Sequence, residues 1–174
     1  MSECPYHVLF LCTGNSCRSQ MAEALLNSLG QGRFRAYSAG SQPTGKVNPF
    51  AVTLLAEMGM TDYQMRSKSW DEFSGPDAPV MDLIFTVCGS AAAETCPVWP
   101  GHPASAHWGT EDPAGVQGSE SLKMDAFRHA FRVLQHRVKL CVDLPVETMT
   151  PEELRNALAE IGASLPGLET GNNT

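Results

Sequence analysis

The chain contains no apolar run long enough to span a membrane, and Met1 to Pro5 lacks the basic-then-apolar form of a secretory signal. A cytoplasmic chain with no membrane partner is expected. Basic residues are not in excess: 12 Lys and Arg face 19 Asp and Glu, a net charge of −7. That balance argues against nucleic acid and anionic membrane as partners. An anionic substrate must therefore be captured by local dipoles, not by the overall field. No Cys-x2-Cys pair occurs, which disfavours a structural zinc site. Cys88, Cys96, His102 and His107 follow none of the common ligand spacings. Internal repeats and low-complexity blocks are missing as well. Six cysteines in a cytoplasmic chain of 174 residues do not read as a disulfide framework, so catalytic or redox use of some of them is expected.

What is present is organised around Val8 to Met21. Val8–Leu11 is an apolar run that reads as a buried strand. It breaks at Cys12 into the small polar residues Thr13, Gly14, Asn15 and Ser16, then Cys17 and Arg18. From Ser19 the pattern turns helical, with Met21, Ala22, Leu25, Leu26 and Leu29 at three- and four-residue steps and Gly30 as a stop. Strand, tight loop and helix start in that order make an anion cradle from Thr13 to Ser19, lined by backbone N–H groups and the positive end of the helix dipole. Cys-x5-Arg on its own is a weak pattern, because a cysteine after a strand is ordinarily a small buried hydrophobe. Here the glycine, serine and helix also fall where thiol chemistry needs them. Beside a helix N-terminus and a guanidinium, the Cys12 thiol should ionise well below its free value of ~8.5 and be a thiolate at neutral pH. Arg18 offers a planar bidentate clamp for a tetrahedral oxyanion, and Ser19 can donate its hydroxyl to the same sulfur.

The rest of the chain alternates strands and helices. Phe34–Ser38 reads as a second strand closed by Ala39-Gly40. Asn48-Pro49 starts a helix with apolar positions Val52, Leu55 and Ala56, ending near Gly59. Ser69 with Glu72 forms a capping-box pattern for a short helix. Asp82–Val87 is a buried strand that delivers Cys88 at its carboxyl end, and Ala104–Trp108 a shorter one. Phe127, Ala130, Phe131, Leu134, Val138 and Cys141 mark one face of a long helix. Thr150-Pro-Glu-Glu opens a last helix carrying Leu154, Leu158 and Ile161, with Gly162 as its stop and a frayed tail from Pro166. This order predicts an α/β, three-layer sandwich around a four-stranded parallel sheet, in which sites lie beyond the carboxyl ends of the strands. Residues 1–142 form the functional domain, and 143–174 a helical extension packed on it or trailing from it.

Cys88 and Cys96 flank a run of small residues. If Cys88 reaches Cys12, it is a resolving thiol, and exchange with Cys96 would carry the disulfide outward. The segment from His107 to Gly115 reads as a loop. Within it, Asp112-Pro113 is ordinary turn chemistry or a general acid hung over the cradle, and Glu111 is a possible substitute.

These residues together resemble the arsenate reductases built on the low-molecular-weight tyrosine phosphatase fold, from about Tyr6 to Leu140, most specifically in Cys12-Thr-Gly-Asn-Ser-Cys-Arg-Ser-Gln-Met-Ala-Glu. The resemblance implies that Cys12 attacks arsenate, Arg18 binds its oxygens and Asp112 is the acid. It implies also that Ser19 steadies the thiolate, Asn15 holds the loop's shape, and Cys88 attacks the cysteine–arsenic adduct to expel arsenite. No resident cofactor is required; an external thiol donor, thioredoxin or glutathione with glutaredoxin, restores the cysteines. Thioredoxin-coupled members space their later cysteines seven apart, whereas Cys88 and Cys96 lie eight apart, which keeps the glutathione route open and Cys96 dispensable in it. Some members hold potassium through residues matching Asn15, Glu23 and Ser38. The aspartate that completes that set falls near Ser69 to Asp71, where this chain has Trp70, so no metal is expected. Two rival readings remain. A phosphatase of this fold usually carries tyrosine after the Asp-Pro, where this chain has Ala114, and has no need of Cys88. A non-catalytic oxyanion-binding or thiol redox-sensing module has no need of Cys12, Arg18 and an acid together.

Overall fold

Tyr6–Cys12 forms the central strand, β1, whose residues Val8 to Leu11 are at most 1% exposed. An unbroken apolar run, instead of an alternating one, is what a parallel strand covered on both faces demands. The computed structural model describes residues 4–60, 65–89, 99, 101 and 103–166. Cys96, the run of small residues before it, His102 and the tail beyond Pro166 lie outside the described residues. Strand β2 (Phe34–Gly40) pairs with one side of β1. Strand β3 (Leu83–Thr86) pairs with the other and carries β4 (Ala104–His107), giving the order β2-β1-β3-β4, all parallel.

Val8, Phe10, Leu83 and Phe85 face one core with helices α1 (Arg18–Leu29), α2 (Pro49–Glu57), α3 (Glu120–Val142) and α4 (Pro151–Ala163). Leu9, Leu11 and Ile84 face the other, under Phe73 and Met81. The α/β layered architecture read from the sequence is the one observed.

Several local expectations shift. The Ser69 hydroxyl accepts from the Asp71 amide (3.2 Å), and the Glu72 carboxylate pairs with Arg66 (2.9 Å) instead of closing a capping box. The result is a single 3-10 turn, Trp70–Phe73. On α2 the buried positions are Ala51, Leu54 and Leu55, while Val52 is 45% exposed. Helix α3 begins seven residues before its apolar stripe because Ser119 caps it through the Leu122 amide (3.2 Å). Trp108 leaves the expected loop for the core, fully buried, its ring 3.8 Å from that of Phe85.

Helix α4 has the reciprocal cap expected of Thr150 and Glu153 (3.2 and 2.8 Å). Gly162 does not stop it. The helix runs to Ala163, and a Cβ at 162 would stand 2.5 Å from the His107 carbonyl oxygen and 2.7 Å from the Trp108 ring. That glycine is there for close contact with the end of β4.

Candidate active site

The register Leu11↔Thr86 sets the carboxyl ends of β1 and β3 side by side. Val87 continues the pairing by donating to the Leu11 carbonyl (2.9 Å). The next residues, Cys12 and Thr13 on one strand and Cys88 on the other, therefore meet at the sheet edge. The Cys88 sulfur accepts from the Thr13 amide (3.4 Å) and shares a hydrogen bond with its hydroxyl (3.6 Å). Cys12 and Cys88 are both buried, at 6% and 3% exposure, and Cys88 is the largest single influence on the Cys12 thiol.

Three carbonyls of the loop turn away from the cradle. Those of Thr13, Gly14 and Ser16 accept from the amides of Gln42 (3.0 Å), Thr44 (3.0 Å) and Asn48 (2.7 Å), and Ser67 adds a second donor to Gly14 (3.2 Å). Because each peptide is planar with C=O and N–H opposed, outward carbonyls turn the following amides inward. Asn15 makes the reversal at φ +46°, in the left-handed region that asparagine tolerates. Its buried side chain fixes the turn: Nδ2 donates to Ser19 Oγ (2.8 Å), and Oδ1 accepts from the Lys68 amide (2.9 Å) and Gln20 Nε2 (3.0 Å). Helix α1 starts at the cradle with no side-chain cap, whereas α2, α3 and α4 are capped by Asn48, Ser119 and Thr150. Its first amides and its dipole thus face the cradle.

Arg18 closes the far side. Nη1 donates to the Thr110 carbonyl (2.8 Å), Nη2 lies 3.8 Å from Asp112 Oδ2, and Nε is buried with no partner among the described residues. A buried guanidinium N–H left unmatched is costly, and an oxyanion in the cradle would accept from it. Asp112 makes the turn that the sequence offers, and it stands beside the cradle: Oδ1 accepts from the Ala114 amide (3.0 Å) and caps the 3-10 turn Pro113–Gly115, while Oδ2 faces Arg18. Glu111 is exposed, and no contact ties it to the cradle.

The structure corrects the expected ionisation of Cys12. The thiol is pushed up, not down, first by the hydrogen bond with Cys88 and then by burial, against the pull of Arg18. Two thiols sharing a hydrogen bond titrate as one unit, and the second sulfur was invisible to reasoning from the loop alone. Burial also raises Cys17, leaving it a structural thiol of the loop. The Ser19 hydroxyl accepts from Asn15, with no bond to Cys12 among the described residues.

Glu23 and Ser38 do come together, with Ser38 Oγ donating to Glu23 Oε2 (2.6 Å). The cation beside them is Lys68: its ammonium donates to Ser38 Oγ (3.3 Å) and the Arg66 carbonyl (3.0 Å), and lies 3.8 Å from Glu23 Oε2. Asn15 Oδ1 is committed elsewhere. These residues do not fit a bound potassium ion, because a side-chain ammonium already stands at the carboxylate. Among the described residues, no His, Cys, Asp and Glu cluster suits a metal. Sequence reasoning missed Lys68, Gln20 and Thr110. Lys68 sits in Arg-Ser-Lys-Ser, which reads as a solvated stretch, and Thr110 acts through its backbone, which no side-chain pattern reveals.

The fold thus brings together a cysteine at the floor of an amide cradle, an arginine across it and an Asp-Pro loop above it. The family model for low molecular weight phosphotyrosine protein phosphatases matches residues 7–155, and the chain belongs to that family. Its curated relatives include arsenate reductases. That of Bacillus subtilis is 38% identical over 132 residues, 76% of this chain and 91% of the relative. That of Halalkalibacterium halodurans is 39% identical over the same shares. The crystal structure of arsenate reductase from Archaeoglobus fulgidus superposes with a TM-score of 0.62 at 33% identity, covering 79% of this chain and 99% of that one. No described helix is long and apolar enough to cross a membrane.

Proposed function

We propose that the protein reduces arsenate to arsenite in the cytoplasm by a thiol–disulfide cascade on residues 1–142, with α4 belonging to an extension packed on that domain. The observation that carries this reading is the Cys88 sulfur on the Thr13 amide, a second buried thiol at the floor of the cradle next to Cys12. A hydrolase resolves its intermediate with water and needs no second thiol there. Arsenate docks on the amides from Thr13 to Ser19 and on Arg18. The Cys12 proton passes to an arsenate oxygen, the sulfur attacks arsenic, and Asp112 protonates the oxygen that leaves as water. Cys88 then attacks the Cys12 sulfur. The S–S bond forms, the S–As bond breaks, and its electron pair stays on arsenic, which departs as arsenite.

Thioredoxin, or glutathione with glutaredoxin, returns the disulfide to thiols, and no resident cofactor enters the cascade. Cys12→Ser and Cys88→Ser are each expected to abolish multiple-turnover arsenite production, measured with both donor systems. A Cys88→Ser protein at full steady-state rate would refute the cascade. Cys96→Ser, assayed with each donor, assigns that residue: loss with thioredoxin alone places it on the thioredoxin route. Fast aryl phosphate hydrolysis without arsenate turnover would instead mark a phosphatase.

A further inference from the structure

Arg137, on α3, is 3% exposed. Its guanidinium is spent on two carbonyls: Nη1 donates to Gly109 (3.0 Å) and Nε to Ser164, just past the end of α4 (3.2 Å). Gly109 precedes Thr110, whose carbonyl holds Arg18, and three residues further on is Asp112. Trp108, on the other side of Gly109, donates through its indole N–H to the Leu158 carbonyl of α4 (2.9 Å). The acid loop is therefore moored at its root to the C-terminal helix. Beyond that root Pro113 is buried while the Asp112 side chain is half exposed. Thr110, Asp112 and Pro113 form one wall of a cavity of about 510 Å³ whose other walls include His129, Val133 and Arg137 itself. The loop takes its geometry from two anchors, the Thr110 amide on the Val87 carbonyl (3.2 Å) and Arg137 on the Gly109 carbonyl just before it.

We propose that Arg137, together with the end of α4 that it grips, is a positioning residue for the arsenate reaction: by fixing the Gly109 carbonyl it sets where the Thr110 carbonyl holds Arg18 and where Asp112 meets the leaving oxygen. This gives the C-terminal extension a role in the chemistry, and it rests on the arsenate reading above. A misplacement of about 1 Å in a positioning network can cost a rate factor of up to about 100.

The test compares full-length Arg137→Met and Arg137→Lys with wild type. In a single turnover without thiol donor, arsenate-driven formation of the Cys12–Cys88 disulfide should slow about 10- to 100-fold in Arg137→Met, with a smaller loss in Arg137→Lys, which keeps one donor. Disulfide formation driven by diamide, which takes up the two thiol hydrogens and needs no acid loop, should keep its wild-type rate. Adding Asp112→Asn should cost much less in the Arg137→Met background than in wild type, because the acid is already displaced. An equal Asp112→Asn loss in both backgrounds, an unchanged arsenate rate, or a parallel slowing of the diamide reaction would overturn the proposal. Should Arg137→Met not fold, Arg137→Lys carries the same cycle. If the wild type turns over p-nitrophenyl phosphate and not arsenate, the arsenate reading fails by itself. The same cycle on phosphate ester cleavage then decides the role of Arg137.

Discussion

Two sulfurs and a guanidinium meet at the cradle, and behind them Glu23 and Lys68 form a second buried charge system. Burial pushes the Glu23 carboxyl up to about 7 from an ordinary 4.5, against the opposing pull of Lys68 and Ser38, and burial pulls Lys68 down. The folded protein holds a proton on Glu23 that the unfolded chain releases above about 4.5. Stability from this group is thus complete below that pH and drains away as pH rises through about 7. Urea unfolding of wild type and Glu23→Gln at pH 5 and pH 8 should show the wild type losing ground to the variant on going up, by on the order of 3 kcal/mol at most. A difference independent of pH would mean that Glu23 is ionised throughout. Lys68 could not be singled out from its neighbours in the chain, because its burial is imposed by β2 and α1, which sit more than 25 residues away in sequence.

The elements themselves were largely legible, since strands with continuous apolar runs and helices with side-chain caps follow local rules. Their mutual spacing was not. Gly40, at the end of β2, reads as a strand stop, yet a Cβ there would fall within 3 Å of the carbonyl oxygens of Cys12 and Thr13. Neither neighbour is a side chain that can swing away. Gly40→Ala should therefore cost about 1–3 kcal/mol by overpacking and lower arsenate turnover through the displaced loop, measured by denaturant unfolding and initial rates. A variant with wild-type rates would show that the cradle tolerates movement at β2. Gly162 makes the same point at the other end of the sheet, where what reads as a helix stop is a contact between α4 and β4.

The molecule as a whole is acidic, at −7, and still presents a pocket for an anion. Local geometry must outweigh the long-range field, through uncapped α1 amides and a buried Arg18 donor without a partner. Oxyanion binding to the folded state alone should raise thermal stability by mass action. At a hundred times the dissociation constant the gain is about 2.7 kcal/mol, a rise of roughly 5–10 °C for a chain of this size. Arsenate, phosphate and sulfate should each give it, and chloride at matched ionic strength should not. Arg18→Ala should abolish it. An equal shift in chloride would assign the stabilisation to screening of the net charge.

The order of elements, the cradle with its nucleophile and clamp, and the reciprocal cap of α4 are properties of the sequence by itself, because each depends on residues within one or two turns of chain. Tertiary structure alone decided the rest. It placed Cys88 against Cys12 across two strands 75 residues apart and so reversed the expected ionisation of the nucleophile. It set an ammonium at Glu23, where some members of the family it resembles hold potassium, and it tied the loop that carries Asp112 to the last helix through Arg137. Each of these joins segments distant along the chain, and burial, which makes a charge or a thiol strong or weak, exists only once those segments have met.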